Sequence, residues 1–140
     1  TCALPIYIGV MKKEVADILP SLPKGIFIDA TYGYGSHFDY FTDNALNLNF
    51  IGFDRDSEAI ANAQLGHKVY KLNFSKIKDY LIKNNISELS GIFYDFGVSS
   101  HQIDSNNRGF SFQHNSNLDM RMDQTQNKSA MEVINKYSLN

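Results

Sequence analysis

A short apolar run that ends in an aspartate and a glycine turn constrains this chain more than any other feature. Gly25 to His37 reads Gly-Ile-Phe-Ile-Asp-Ala-Thr-Tyr-Gly-Tyr-Gly-Ser-His. Ile26, Phe27 and Ile28 are β-branched or aromatic and bounded by turn residues, the pattern of a strand buried on both faces. Asp29 stands where that strand should end. Gly33 and Gly35 permit a tight turn and a close backbone approach to a ligand. Ser36 is placed to cap a helix running on to about Leu46, with Phe38, Phe41, Ala45 and Leu46 facing the sheet. Strand, glycine turn and helix make the first unit of a doubly wound α/β fold, whose ligand crevice lies at the carboxyl ends of the strands.

A Gly-x-Gly turn is common on its own, so its context decides. Phe50-Ile51-Gly52-Phe53 is a second apolar run and ends in Asp54. Nucleoside-binding folds hold ribose hydroxyls at that position, and the two oxygens of one carboxylate accept from two adjacent hydroxyls. The alternating run His67 to Leu72 predicts a third strand, exposed on one face, with His67 a surface residue at its start. Ile92-Phe93-Tyr94 predicts a fourth, closed by Asp95. Helical patterns lie between and before them. Val10 to Leu19 is stopped by Pro20 and Pro23, a segment opening at Asp56 or Ser57 is ended by Gly66, and a helix carrying Ile77, Tyr80 and Leu81 is ended by Asn84 and Asn85.

Four alternations of strand and helix predict a parallel sheet with right-handed crossovers. Such a sheet places Asp29, Asp54 and Asp95 along one edge. Singly, each reads as readily as a cap for the following helix; together they are a better signal than any one motif. From Gly97 onward the periodicity fades. Ser99 to Asn117, rich in Ser, Asn, Gln and His, reads as a loop or the edge of an inserted subdomain, and Ala130 to Tyr137 as a last helix.

At 140 residues and 43% hydrophobic content the chain supports about one domain with a core. Its net charge of -2 gives no global basic signature for nucleic acid. Cys2 is the only cysteine; no disulfide within the chain is possible, which fits a reducing cytoplasm. No apolar run has the length of a membrane span, and the start lacks the pattern of a signal peptide. Thr1 to Ile6 match the in-frame translation of a common sequencing adapter, and residues 1–6 are expected to be a non-native prefix.

Further motifs follow the fourth apolar run: Asp95-Phe96-Gly97-Val98-Ser99-Ser100, Arg108-Gly109-Phe110-Ser111-Phe112 and Leu118-Asp119-Met120-Arg121-Met122-Asp123. With Val10-Met11-Lys12-Lys13-Glu14-Val15, Asp29-Ala30-Thr31-Tyr32-Gly33, Gly35-Ser36-His37 and Asp54-Arg55-Asp56, they run in the order and spacing of a known family. Over about Tyr7 to Tyr137 the chain resembles the N-terminal half of the bacterial RsmH (MraW) methyltransferases, which act on cytosine N4 of 16S ribosomal RNA.

The resemblance implies a Rossmann-like class I S-adenosylmethionine-dependent methyltransferase fold with a parallel sheet, truncated after strand 4. It implies a partial cofactor-binding domain over 7–104 and the start of an inserted substrate-recognition region over 105–140. The cofactor would be S-adenosylmethionine. Gly33, Gly35, Ser36 and His37 would lie against it, Asp54 would take the ribose hydroxyls, Phe74 would flank the adenine, and Asp95 and Gln102 would complete the pocket. No metal is expected. The substrate would be 16S ribosomal RNA of the small ribosomal subunit, in its decoding region, and the enzyme would be cytoplasmic. The chain departs from the family pattern in places. The family's Gly-Gly-Gly-Gly-His stands here as Gly33-Tyr34-Gly35-Ser36-His37, Tyr7-Ile8-Gly9 stands for His-x-Pro, and His101 stands for a proline.

Elementary chemistry is consistent with this assignment. The cofactor carries a sulfonium cation, which suits strand-end carboxylates better than a pyrophosphate would. A nicotinamide-dependent oxidoreductase, the alternative reading, calls for a third glycine where Phe38 stands. A cofactor-binding fragment without activity is the third. Methyl transfer is an in-line displacement, so catalysis is mostly positioning. Cytosine N4 is a poor nucleophile, and an acceptor for one of its hydrogens helps; Asp95 is the candidate catalytic residue. The base must leave its stack to be reached, which single-stranded or looped RNA makes easier.

Overall fold

The computed structural model describes residues 9–138, so the expected prefix at residues 1–6 and Tyr7 lie outside the described residues. The chain forms two compact units, one ending at Phe96 and the other beginning at Gly97.

The first unit alternates helix and strand. It contains α1 (Lys12–Ala16), a 3-10 turn at Leu19–Ser21, β1 (Gly25–Asp29), α2 (Ser36–Asn44), β2 (Leu48–Asp54), α3 (Ser57–Ala61), β3 (Val69–Lys71), a second 3-10 turn at Phe74–Lys76, α4 (Ile77–Lys83) and β4 (Leu89–Phe93). The sheet order is β3-β2-β1-β4. Every pairing is parallel, with Phe27 beside Phe50, Asp29 beside Gly52 and Phe93, and Asp54 beside Lys71. This is the order of the first four strands of a doubly wound α/β sheet, as the Rossmann-like expectation requires.

The side-chain alternation of β1 divides the core in two. On one face Phe27 packs with Ala16, Leu19, Phe41, Ala45 and Leu48, from α1, α2, the turns that follow them and the start of β2. On the other, Ile28 packs with Ala30, Ile51, Phe53 and Ile77 beneath α4. Neighbouring residues of one strand thus serve opposite layers, which is why Ile26 to Ile28 is apolar without interruption. Phe27 meets Phe41 edge-on at 6.0 Å, and Phe41 meets Phe93 edge-on at 5.2 Å.

Several elements differ from expectation, for local reasons. Helix α2 is capped by Gly35 and not by Ser36, because Gly35 takes the left-handed conformation (φ 82°) and Ser36 is already helical. The helix ends at Asn44, so Leu46 lies beyond it and is 90% exposed, whereas Phe38, Phe41 and Ala45 are buried. Helix α3 stops at Ala61, well before Gly66, where Asn62 bonds back to the Glu58 carbonyl through both its backbone and its side chain. Its cap is Asp56, which accepts from Glu58 N–H at 3.0 Å. His67 lies outside the short β3 and is not a surface residue: Tyr32 Oη is 2.9 Å from its Nδ1, Asp39 Oδ1 is 3.1 Å from its Nε2, and its side chain is 15% exposed. β4 ends at Phe93, leaving Tyr94 and Asp95 in the following loop.

The second unit contains α5 (Ser100–Asp104) and α6 (Ala130–Lys136). Helix α5 falls in the stretch expected to be loop. Both helices open on capping boxes, Ser99 with Gln102 and Ser129 with Glu132, in which each side chain satisfies a free backbone N–H of the other's residue. Between them, buried Arg108 donates through Nη2 to the carbonyls of Arg121 and Met122 at 3.1 and 3.0 Å. Its own carbonyl accepts from Met120 N–H. Arg121 grips Asp119 through two N–H groups at 2.7 and 2.8 Å, and this pairing holds the Asp119 carboxyl below its usual range. The Arg-Gly-Phe and Leu-Asp-Met-Arg motifs are therefore halves of one folded loop.

Candidate functional site

Parallel strands end at a common edge, and β1, β2 and β4 deliver acidic residues there. Asp29 is the last residue of β1 and Asp54 the last of β2; Asp95 follows β4 by two residues. The turn from β1 to α2 holds them in place. Thr31 N–H donates to Asp29 Oδ1 at 3.0 Å. Thr31 Oγ1 accepts from the backbone N–H of Asp95 at 2.8 Å. One threonine thus joins the loop after β1 to the loop after β4.

Gly33 takes a left-handed conformation (φ 56°), which turns its N–H onto Asp54 Oδ2 at 2.8 Å. A side chain at Gly33 would meet little, so conformation and not space calls for glycine there. At Gly35 both matter, because an added Cβ would lie 2.7 Å from the Tyr32 hydroxyl. Asp54 Oδ1 accepts from Asp56 N–H at 2.8 Å. Both carboxylate oxygens of Asp54 are thus oriented by backbone donors, to which the Arg55 N–H adds, and acceptor capacity remains for a ligand hydroxyl. Burial, the largest influence, still raises the Asp54 carboxyl above its ordinary value.

His37 is buried in α2, its ring 4.9 Å from Phe93 and 5.7 Å from Phe41. Its Nε2 lies 2.9 Å from the Val10 carbonyl oxygen. A carbonyl only accepts, so Nε2 carries a hydrogen, while Nδ1 lies 3.7 Å from Asp95 Oδ2. Ser36 Oγ accepts from Gly9 N–H at 3.1 Å. Ser36 and His37 therefore tie the N-terminal segment to the start of α2. Asp95 is 40% exposed and open to a partner.

An aromatic group stands beside the acidic edge. Phe74 lies edge-on to Tyr94 at 5.9 Å and 5.7 Å from Phe96, while Tyr94 and Phe96 stack at 5.5 Å. All three are partly or well exposed, at 39%, 40% and 73%. Aromatic faces left open in this way suit a flat heteroaromatic ring.

Of the residues singled out from sequence, the first unit thus carries Gly33, Gly35, Ser36, His37, Asp54, Phe74 and Asp95, on the strand end, turns, loop and helix start that follow its strands. Gln102 belongs to the second unit, where its Oε1 accepts from Ser99 N–H in the capping box. Sequence reasoning did not single out Thr31, Tyr94 or Phe96. The aromatic pair flanking Asp95 was a usable signal, but nothing in the pattern marked Thr31. Among the described residues, no group of three or more His, Cys, Asp or Glu is disposed to hold a metal ion.

The comparisons with known proteins agree on one relationship. Ribosomal RNA small subunit methyltransferase H of Onion yellows phytoplasma (strain OY-M) is 41% identical over 139 residues, covering 94% of this chain and 45% of that protein. The protein of the same name from Cytophaga hutchinsonii is 38% identical over 136 residues, covering 94% and 46%. The chain therefore spans about half the length of the curated relatives it matches. Among solved structures, a Streptococcus mutans chain described as a methyltransferase candidate in complex with SAH aligns at TM-score 0.31 and 22% identity, over 69% of this chain and 44% of that one. A likeness that slight says nothing about the site. The profile of the MraW methylase family, in contrast, matches residues 6–140, nearly the whole sequence, and with two relatives near 40% identity it places this chain in the MraW methylase family.

Proposed function

We propose that this chain supplies the cofactor site of an S-adenosylmethionine-dependent enzyme that methylates the N4 amine of a cytosine in the decoding region of small-subunit ribosomal RNA. The observation that carries the reading is the row of three strand-end carboxylates, with a glycine turn fastened to the middle one. The relatives' names point to ribosomal RNA of the small subunit, and a cytoplasmic enzyme fits such a substrate. No helix among the described residues is long and apolar enough to cross a membrane.

The residues present fit the cofactor. Asp54 offers oriented acceptors to a ribose diol, and Phe74, with Tyr94 and Phe96, offers ring faces to adenine. Gly33 and Gly35 keep side chains away from the crevice, and the acidic edge favours a cation. When bound, S-adenosylmethionine supplies a methyl group made electrophilic by its sulfonium. The chain's own part is to bind, orient and accept. Asp95, held by the Thr31 hydroxyl through its backbone, presents an exposed carboxylate that accepts a hydrogen from the N4 amine and so frees lone-pair density on nitrogen. Residues 105–140 begin the region that recognises RNA. The nicotinamide reading gains nothing from the structure, since the position of the third glycine is filled by Phe38, 2% exposed in the core.

The test supplies the intact protein carrying this sequence with radiolabelled S-adenosylmethionine and small ribosomal subunits that lack the modification. Label recovered on cytosine N4 is the expected result. Label on another atom, or saturable NAD binding in place of transfer, refutes the reading.

A further inference from the structure

Asp29 is the strand-end carboxylate to which the proposed reaction gives no task. It is 1% exposed; Oδ1 accepts from the Thr31 N–H, and the Thr31 hydroxyl also bears on the carboxyl. Oδ2 is buried and accepts no hydrogen bond among the described residues. A buried acceptor without a donor is costly, and native structures rarely leave one without reason. The charged groups that bear on Asp29 are also acidic: Asp54 from β2 and Asp95 from the loop after β4, the latter with His37 of α2 at 3.7 Å. Burial first, and those two charges after it, raise the Asp29 carboxyl to about 7, against the smaller opposing pull of the Thr31 hydrogen bonds.

We infer that Asp29 makes cofactor binding proton-linked: it holds a proton in the free protein and releases that proton to solvent when a cation bearing N–H donors settles at the acidic edge. The inference rests on the S-adenosylmethionine reading of the site. The balance is simple. A neutral carboxylic acid and a cationic ligand become a carboxylate paired with that ligand and one proton taken up by buffer. The cofactor's ammonium brings both things Oδ2 lacks, positive charge and N–H groups. Below about pH 7 the proton must be removed before the pair can form, so affinity falls as pH falls.

The experiment is calorimetric titration of S-adenosylmethionine into the intact protein between pH 5.5 and 7.5, where the cofactor's α-amino group largely keeps its own proton. Each pH is run in phosphate and in imidazole, whose ionisation heats differ. The expected result is a binding heat that depends on the buffer, corresponding to release of up to one proton. The dissociation constant should rise by up to about tenfold for each pH unit below 7. Asp29→Asn should remove both effects. Independently of any variant, the infrared difference spectrum of the wild-type protein on adding cofactor should show loss of a protonated carboxyl band. Binding with no buffer dependence and a flat pH profile overturns the inference and leaves the cofactor reading intact. Proton release that survives Asp29→Asn overturns it as well. Failure to bind at every pH overturns the cofactor reading itself.

Discussion

At the scale of single residues, the site is an arrangement of acceptors fixed by backbone donors. Asp54 is the clearest case, because the N–H groups of Gly33 and Asp56 hold its two oxygens before any ligand arrives. Asp54→Ala should weaken S-adenosylmethionine binding by about 1.5–3 kcal/mol, the usual cost of losing hydrogen bonds to a charged group, and calorimetry on the intact protein measures it. Unchanged affinity would remove Asp54 from the ribose role. Asp95→Asn probes a different function. It keeps the side chain's shape but loses charge and half of its acceptor capacity. Methyl transfer should therefore fall more than cofactor affinity; equal losses would leave Asp95 a cofactor ligand only. These carboxylates were legible in the sequence because each closes an apolar run. The anchor that positions Asp95 was not. Thr31 reaches across 64 residues of sequence to that backbone, and no local pattern encodes such a contact.

At the scale of elements, the alternation of strands and helices and the parallel sheet were legible in the sequence, whereas element ends were not. Apolar runs identify strands buried on both sides, and the glycine turn identifies the crossover between them. Ends are set by individual hydrogen bonds, such as Asn62 turning back on Glu58, or by a glycine adopting a left-handed cap one residue before the serine that composition favours. Helix α5 was hidden because its five residues carry no apolar stripe, and only the spacing of Ser99 and Gln102 announced it. The junction of α2 with the sheet should be the least tolerant of change. Phe41 is 0% exposed and packs against Phe27, Phe93 and the His37 ring. Phe41→Ala should cost about 3–5 kcal/mol, read as a lowered denaturation midpoint. A loss below 1 kcal/mol would mean that the neighbouring rings close over the gap.

At the scale of the molecule, the sheet of the first unit has two edge strands among the described residues, β3 and β4. Among the described residues β4 pairs with β1 and with no other strand. Beside it lies an open cavity of about 400 Å³, lined largely by Phe74, Ile77, Leu81, Ile82, Ile86, Ile92 and Tyr94. An apolar surface flanking an unpaired strand edge invites pairing with another chain. More than half of each curated relative lies outside the matched stretch. A polypeptide of residues 7–140 alone should therefore self-associate as its concentration rises, detected by sedimentation velocity. Ile82 offers a clean probe because it lines this cavity on α4 yet is 66% exposed. A lysine there breaks the apolar surface without opening a hole in the core. Ile82→Lys should shift the polypeptide toward monomer while moving its thermal midpoint little, since substitutions at such exposed positions usually stay within about 0.5 kcal/mol. A wild-type polypeptide that stays monomeric at every concentration would show that the edge protects itself. Association unaffected by Ile82→Lys would move the contact away from the α4 side of β4.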